Sequence, residues 1–127
     1  MNEPVWIDTR DALVLHERLL SIHGGADGLR DLALLESALA RPRQLLAYAD
    51  MPEIVDLSAA YTFGIVRNHP FVDGNKRTGF VVGILFLELN GRVFTASEEE
   101  AAQAVVQLAA SVIEEADYAA FLRRWSH

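Results

Sequence analysis

The chain has 127 residues, and 51% of them are apolar, which suits one folded domain with a continuous core and excludes a disordered chain. Its net charge of -7 argues against direct binding of nucleic acid or of an anionic membrane, because both partners attract basic surfaces. There is no cysteine, so disulfides, thiolate metal sites and a cysteine nucleophile are excluded.

No targeting or membrane segment is predicted. The stretch from Met1 to Arg10 is polar and lacks the basic start and the apolar run of a targeting segment. The most apolar run, Phe80 to Leu87, is far shorter than the about 20 residues that a membrane helix needs. We therefore expect a cytoplasmic protein whose residues 1–127 form a single domain.

Two helices are predicted before Pro42. The first follows the cap-type residues Asp8 and Thr9 and ends at the Gly24-Gly25 pair. Its apolar stripe consists of Ala12, Leu15, Leu19 and Ile22. Asp31 caps the second helix, which Pro42 is expected to end or kink. The stripe of this second helix consists of Leu34, Leu35, Ala38 and Leu39.

Four more helices are predicted after residue 50. The third begins near Pro52 and closes before Pro70, with a stripe of Ile54, Leu57, Tyr61 and Ile65. The fourth runs from about Gly74 to Asn90 and is apolar almost all round, which predicts a helix surrounded by others. The fifth opens at a capping-box pattern of Ser97 and Glu100, and its stripe is Val105, Leu108, Ala109 and Val112. The sixth follows Asp117, and residues 92–95 form a short extended piece between the fourth and fifth. The sequence thus predicts an all-α compact bundle of about six helices.

The negative charge is distributed unevenly. Residues 1–63 carry 5 basic and 10 acidic side chains, residues 64–90 carry 3 and 2, and residues 91–127 carry 3 and 6. The single lysine, Lys76, lies in the middle segment, in a charged loop between two apolar helices. Because such a loop loses hydration energy unless its charges are paired or used, we expect the functional site here.

The start of the fourth helix is predicted to bind phosphate. Its free N–H groups and the helix dipole attract an anion, and Gly74 lets that anion approach the backbone. Lys76 and Arg77 add two positive charges, and Asn75 can donate to a phosphate oxygen. Arg67, one turn before the loop, either reaches a phosphate or caps the end of the third helix.

Two further residues of the loop suggest transfer chemistry. Asp73 either caps the helix or holds a Mg²⁺ ion that is bound to substrate phosphates. His69 is either a packed histidine or a general base that takes a proton from an attacking hydroxyl. Together these groups suit phosphoryl or nucleotidyl transfer, and the absence of the GxxxxGK[ST] pattern excludes a P-loop. Phe71 is expected to anchor the loop in the core, and no role is expected for His16, His23 and His127.

The run His69-Pro70-Phe71-Val72-Asp73-Gly74-Asn75-Lys76-Arg77-Thr78 resembles the motif of the Fic family, HPFx[D/E]GNGRxxR, at seven positions. The flanks resemble the Doc (death-on-curing) toxin branch: HGGADGLRD at 23–31, LLESALARP at 34–42 and the Asn-Gly pair at 90–91. The resemblance implies the Fic fold and the use of ATP with Mg²⁺.

Two departures bear on the reaction. Lys76 stands where the family has its second glycine, and Phe80 stands where it has its final arginine. In Fic enzymes that transfer AMP, those two features orient the nucleotide. The Doc branch carries the same Asn-Lys-Arg run, so the resemblance implies a protein kinase that moves the γ-phosphate of ATP to a threonine of elongation factor Tu and arrests translation. AMP or other nucleotidyl transfer, an inactive Fic-fold binding module and a ribonuclease toxin using His69 and Lys76 remain alternatives.

The resemblance also implies a partner. Many Fic proteins inhibit themselves with a helix of pattern [S/T]xxxE[G/N], and no glutamate of this chain is followed by Gly or Asn. Restraint is therefore expected from a small antitoxin of the Phd type. Residues 43–51 align roughly with the flap by which Fic proteins clasp a target peptide through strand addition.

Overall fold

A computed structural model of the chain describes residues 3–127, and this part contains six α-helices. The helices are α1 (Thr9–His23), α2 (Leu32–Tyr48), α3 (Ile54–Asn68), α4 (Asn75–Leu89), α5 (Glu98–Ala109) and α6 (Glu115–Arg124). The predicted all-α class is confirmed. Met1 and Asn2, where the stretch considered for a targeting segment begins, lie outside the described residues. Within residues 3–127, none of the helices combines the length and the apolar character that crossing a membrane requires.

Local capping sets most of the helix starts. The predicted caps are confirmed, because the side chains of Asp8, Asp31 and Ser97 each accept a hydrogen bond from the N–H three residues later. Helix α6 begins at Glu115, whereas it was predicted to follow Asp117. Asp117 lies in its first turn, where its carboxylate accepts from the N–H of the N-cap residue at 2.8 Å.

Helix α2 does not end at Pro42, so the first of the two predicted alternatives, an end at this residue, is wrong. The helix continues to Tyr48, and residues 43–48 are its last turns, which also contradicts the flap predicted at 43–51. A proline inside a helix removes one hydrogen bond and costs about 3 kcal/mol. Burial of one face of α2 against α3 offsets that cost, and the buried face consists of Leu35, Ala38, Leu39 and Pro42.

Helix α3 lies at the centre of the bundle and packs mainly against α2, α4 and α6. Two core clusters flank it. One joins α3 to α1, α2 and the loop after α3, and the other joins it to α5 and α6. The ends of α3 and α4 that meet at the predicted site are therefore carried by buried helices.

Small residues let α3 and α4 approach closely. The hydroxyls of Ser58 and Thr62 donate to the backbone carbonyls of Gly83 and Gly79, at 2.8 and 2.7 Å. A Cβ at Gly83 would overlap Thr62 Oγ1, and one at Gly79 would lie 3.2 Å from the Thr62 carbonyl oxygen. This contact fixes how α4 lies on α3, and so where α4 begins.

Two residues of the predicted stripes are exposed to solvent. Ile22 is 73% exposed in the last turn of α1, and Val112 is 70% exposed, beyond the end of α5 at Ala109. The extended piece at 92–95 is present, as an isolated bridge between Phe94 and Ser126 near the end of the chain.

Candidate active site

Residues 69–74 connect α3 to α4 in a tight loop. His69 ends α3 with φ 54° and Gly74 precedes α4 with φ 79°, so both lie in the left-handed region that glycine favours. Phe71 is fully buried between them, which confirms its predicted role as the anchor of the loop. The loop therefore turns its backbone inward at Phe71 and leaves the flanking polar side chains near the surface.

Asn75 holds this loop from inside, rather than facing a ligand. Its Oδ1 accepts from the Phe71 N–H at 2.9 Å, and its Nδ2 donates to the Phe71 carbonyl at 2.9 Å. Nδ2 also lies 3.0 Å from His69 Nδ1, and Asn75 is 4% exposed. Both side-chain amide hydrogens are thus engaged within the protein, and in this arrangement the amide is not turned toward a phosphate.

The same contact defines the protonation of His69. Rotating the Asn75 amide would bring two acceptors and two donors together at Phe71, so the nitrogen must face His69. Because an amide nitrogen only donates, Nδ1 of His69 accepts and the neutral ring carries its proton on Nε2. The His69 side chain is otherwise exposed, which is not the packed histidine left open by the sequence.

The Asp73 carboxylate is held by two backbone N–H groups. Its Oδ2 accepts from Ala26 at 3.2 Å and its Oδ1 from Gly74 at 2.8 Å, so Asp73 does not cap α4. The Ala26 bond, and then the Gly74 bond, hold the pKa of the Asp73 carboxyl below its ordinary value of 3.8. A Cβ at Gly25 would lie 2.8 Å from Oδ2, so glycine is needed there for the carboxylate to fit.

The segment that follows Gly24 and Gly25 pairs with the loop between α3 and α4. Residues 28–31 run beside residues 70–72, with a bridge between Leu29 and Phe71 and a hydrogen bond from the Arg30 N–H to the Pro70 carbonyl at 2.7 Å. The Arg30 Nε donates to the His69 carbonyl at 2.7 Å. Extended backbone next to the loop therefore lies at 28–31, not at 43–51.

His16 of α1 lies under the loop. It is 5% exposed, its ring stacks on Phe71 with centroids 3.8 Å apart, and its Nε2 donates to the Asp73 carbonyl at 2.8 Å. No role was expected for His16, and its burial against the loop was not predicted. No local signal marks the residue, because its hydrogen-bond partner is 57 positions away.

The start of α4 is open to an anion. No acceptor in residues 3–127 takes the backbone N–H groups of Asn75, Lys76 and Arg77, and Gly74 provides no side-chain cap. In the same described part, Lys76 and Arg77 make no ion pair. Each extends an exposed charge. A depression of about 210 Å³ lies here, lined by His69, Asp73, Gly74, Asn75, Lys76 and Arg77.

Arg67 does not join this depression. Its guanidinium donates to Ser111 Oγ at 2.8 Å and lies over the ring of Phe63, 5.4 Å from the ring centroid. It therefore points toward the segment between α5 and α6, away from the predicted phosphate site.

A second and larger cavity adjoins the first. This groove, of about 500 Å³, lies between α4 and α5 and shares Lys76 and Arg77 with the depression. Phe80 lies in its wall and makes an edge contact with Phe94. The aromatic ring at the position of the missing arginine thus supplies apolar surface, not charge.

The Fic/DOC family model matches residues 6–87, which include α1 to α4 and the whole loop. The chain belongs to the Fic/DOC family. It is 33% identical over 93 residues to "Protein kinase doc" of Escherichia phage P1, covering 72% of this chain and 74% of that protein. It is also 42% identical over 69 residues to "Toxin Doc" of Mycolicibacterium smegmatis, covering 54% of this chain and 53% of that protein. Both relatives place the chain in the Doc branch of the Fic/DOC family.

The Fic/DOC site of this chain has one carboxylate suited to Mg²⁺. Residues 3–127 contain no group of three or more His, Cys, Asp or Glu side chains that could hold a metal ion. Mg²⁺ that arrives with a nucleotide needs only one or two carboxylates, because substrate phosphates and water complete its shell. Asp73 fits that requirement, since each of its oxygens keeps a lone pair after accepting one N–H.

Proposed function

We propose that this chain is a Doc-type toxin that transfers the γ-phosphate of ATP to a hydroxyl of a protein, with a threonine of elongation factor Tu as the first target to test. Translation arrest is the expected effect, and we expect it in the cytoplasm. The proposal rests on one observation. A single depression collects an exposed histidine, a carboxylate, two cations that form no ion pair within residues 3–127 and the open N-terminus of a buried helix.

The proposed step is phosphoryl transfer. The target hydroxyl oxygen forms a bond to the γ-phosphorus, the bond from that phosphorus to the β–γ bridging oxygen breaks, and ADP leaves. Lys76, Arg77 and the N–H groups of the first turn of α4 hold the phosphate oxygens, and Asp73 holds the accompanying Mg²⁺. His69 takes the proton of the attacking hydroxyl.

Proton uptake by His69 needs one adjustment. Nδ1 is occupied by Asn75 and Nε2 carries the ring proton, so either the bond to Asn75 breaks or the ring proton moves to Nδ1. Both changes sacrifice about one hydrogen bond, roughly 1 kcal/mol, which is about fivefold in rate. That cost is small beside the total effect of positioning and charge stabilisation in phosphoryl transfer.

Two features favour γ-phosphoryl over AMP transfer. The chain has Lys76 and Phe80 where the AMP-transferring motif has a glycine and an arginine, and Phe80 lies in an apolar wall. The relative from phage P1 is named a protein kinase.

Labelled ATP tests the transferred group. The purified chain is incubated with elongation factor Tu, Mg²⁺ and ATP labelled at either the α- or the γ-phosphate. We expect the γ-label, and not the α-label, on the factor. Transfer of the α-label instead would replace the kinase proposal with nucleotidyl transfer, and RNA cleavage without ATP would favour the ribonuclease alternative.

Variants of two histidines test whether catalysis is the mode of action. His69→Ala should abolish both the transfer and the growth arrest of a bacterial host, whereas His127→Ala, which changes an exposed histidine that does not line the depression, should do neither. If wild type and His69→Ala arrest growth equally, the chain acts as a binding module.

We further propose that a Phd-type antitoxin restrains the toxin by laying an amphipathic, acidic helix in the groove between α4 and α5. The groove combines an apolar wall with two cations, Lys76 and Arg77, against one carboxylate, Glu98, which suits such a helix. Val106→Arg, on the groove, should prevent neutralisation by a co-expressed Phd-type antitoxin while toxicity persists. Val112→Arg, which is exposed but outside the groove, should leave neutralisation intact.

A further inference from the structure

His16 contacts the active-site loop in two ways. Its ring lies parallel to the Phe71 ring, with an angle of 8° between the planes, and its Nε2 lies 2.8 Å from the Asp73 carbonyl oxygen. Because a carbonyl oxygen only accepts, Nε2 carries a proton. The side chain is 5% exposed, so water does not readily replace this donor.

The hydrogen bond fixes one peptide plane. The Asp73–Gly74 peptide gives its C=O to His16, and its N–H donates to Asp73 Oδ1 at 2.8 Å. The C=O and the N–H of this peptide are therefore both hydrogen-bonded, the first to His16 and the second to the Asp73 carboxylate. Gly74 follows with φ 79° and ψ 18°, a conformation that glycine adopts without steric cost.

The orientation of this plane matters for an anion. A peptide next to glycine rotates more easily than others, since no Cβ hinders the turn. Rotation would withdraw the Gly74 N–H from the Asp73 carboxylate and turn a carbonyl oxygen away from His16. The Asp73 carboxylate would then keep only one of its two N–H bonds, the one from Ala26. The negative end of a carbonyl dipole near the depression would repel phosphate oxygens.

We propose that His16 is a positioning residue, whose Nε2–H holds the Asp73–Gly74 peptide in the orientation that directs the Asp73 carboxylate and keeps this carbonyl away from the phosphate. Its effect on the backbone is independent of the proposed function. Its effect on the nucleotide rests on that proposed function.

Two variants separate the donor from the ring. His16→Phe keeps an aromatic ring to stack on Phe71 but has no donor, and His16→Gln keeps an amide donor but has no ring. The direct measurement is the hydrogen-exchange rate of the Gly74 amide by NMR, because this N–H is held only while the peptide keeps its orientation. The second measurement is the affinity for ATP-Mg²⁺ by titration calorimetry.

We expect His16→Phe to raise the Gly74 exchange rate and weaken ATP-Mg²⁺ binding, each by about fivefold, the value of one neutral hydrogen bond. His16→Gln should recover most of both losses. Unchanged Gly74 exchange in the phenylalanine variant, or an equal loss in the glutamine variant, would overturn the inference. Faster exchange of the Gly74 amide with unchanged affinity for ATP-Mg²⁺ would overturn the part of the inference that concerns nucleotide binding.

Two controls keep these outcomes distinct. If the wild type binds no ATP-Mg²⁺ and the exchange rates still behave as expected, the proposed function fails and the backbone role of His16 stands. If His16→Phe does not fold, the inference is tested on the wild type alone. The ¹⁵N spectrum of the His16 ring shows whether Nε2 carries a proton, and a coupling to the Asp73 carbonyl carbon shows the hydrogen bond. A His16 Nε2 without a proton would refute the inference.

Discussion

Truncating Asn75 distinguishes a residue that holds the loop from a residue that binds phosphate. Asn75→Ala removes the partners of the Phe71 N–H and C=O, both of which belong to a fully buried residue. An unpaired buried group costs about 1–3 kcal/mol, so the free energy of unfolding should fall by about 2–6 kcal/mol. That is a large part of the roughly 5–15 kcal/mol that stabilises an ordinary domain.

Urea unfolding without nucleotide measures this loss, followed by circular dichroism at neutral pH. Lys76→Ala is the matched control at the next position. Its side chain is exposed, so its stability should stay within about 0.5 kcal/mol of wild type, while ATP binding weakens. Asn75→Asp should be intermediate, because it keeps the acceptor for the Phe71 N–H and loses the donor.

A phosphate ligand would behave in the opposite way. If Asn75 acted on the nucleotide alone, Asn75→Ala would leave the nucleotide-free protein as stable as wild type and would weaken only ATP binding. A change in unfolding free energy below about 0.5 kcal/mol would therefore refute the structural role given to Asn75.

Three further predictions follow from the same site. Gly25→Ala should weaken ATP-Mg²⁺ binding, measured by calorimetry, more than Gly24→Ala does. Both glycines have positive φ, but only a Cβ at position 25 approaches the Asp73 carboxylate, at 2.8 Å. Equal losses of affinity in the two variants would contradict this contact. Arg67→Ala should leave ATP affinity unchanged, whereas Lys76→Ala should reduce it on the order of tenfold, and the reverse order would place Arg67 at the phosphates after all. The lowered pKa of Asp73 means that its stabilising contribution is complete above its ordinary value of 3.8 and is lost as pH falls through the lower folded-state pKa. A carboxyl NMR titration should give a midpoint below 3.8, and a midpoint at or above it would refute the two N–H bonds.

Helix starts were predictable because their causes are local. Asp8, Asp31 and Ser97 each cap a helix through an N–H three residues away, so the signal lies within one turn of sequence. The continuation of α2 through Pro42 was not predictable in this way. Whether a helix tolerates proline depends on the surface that its next turn buries, and here that surface is supplied by α3.

In the candidate site too, the features with local causes were predicted and those with long-range causes were not. His69, Asp73, Lys76 and Arg77 lie within nine residues of each other, and their types alone suggested phosphate chemistry. The residues that hold them were missed, since His16 and Arg30 reach the loop from positions 57 and 39 residues away. Asn75 was found, but the bonds that its amide makes to Phe71 were not predicted, because sequence does not show which way an amide points.

The charge distribution shows what the sequence by itself determined. Of the three segments compared, it located the one where bases outnumber acids, predicted a buried helix behind it and so predicted an anion site at that helix start. The tertiary structure decided which polar groups stay available to a ligand. Burial committed the Asn75 amide and the His16 imidazole to the backbone, because an unpaired buried donor costs free energy, while Lys76 and Arg77 stayed exposed and free of ion pairs within residues 3–127.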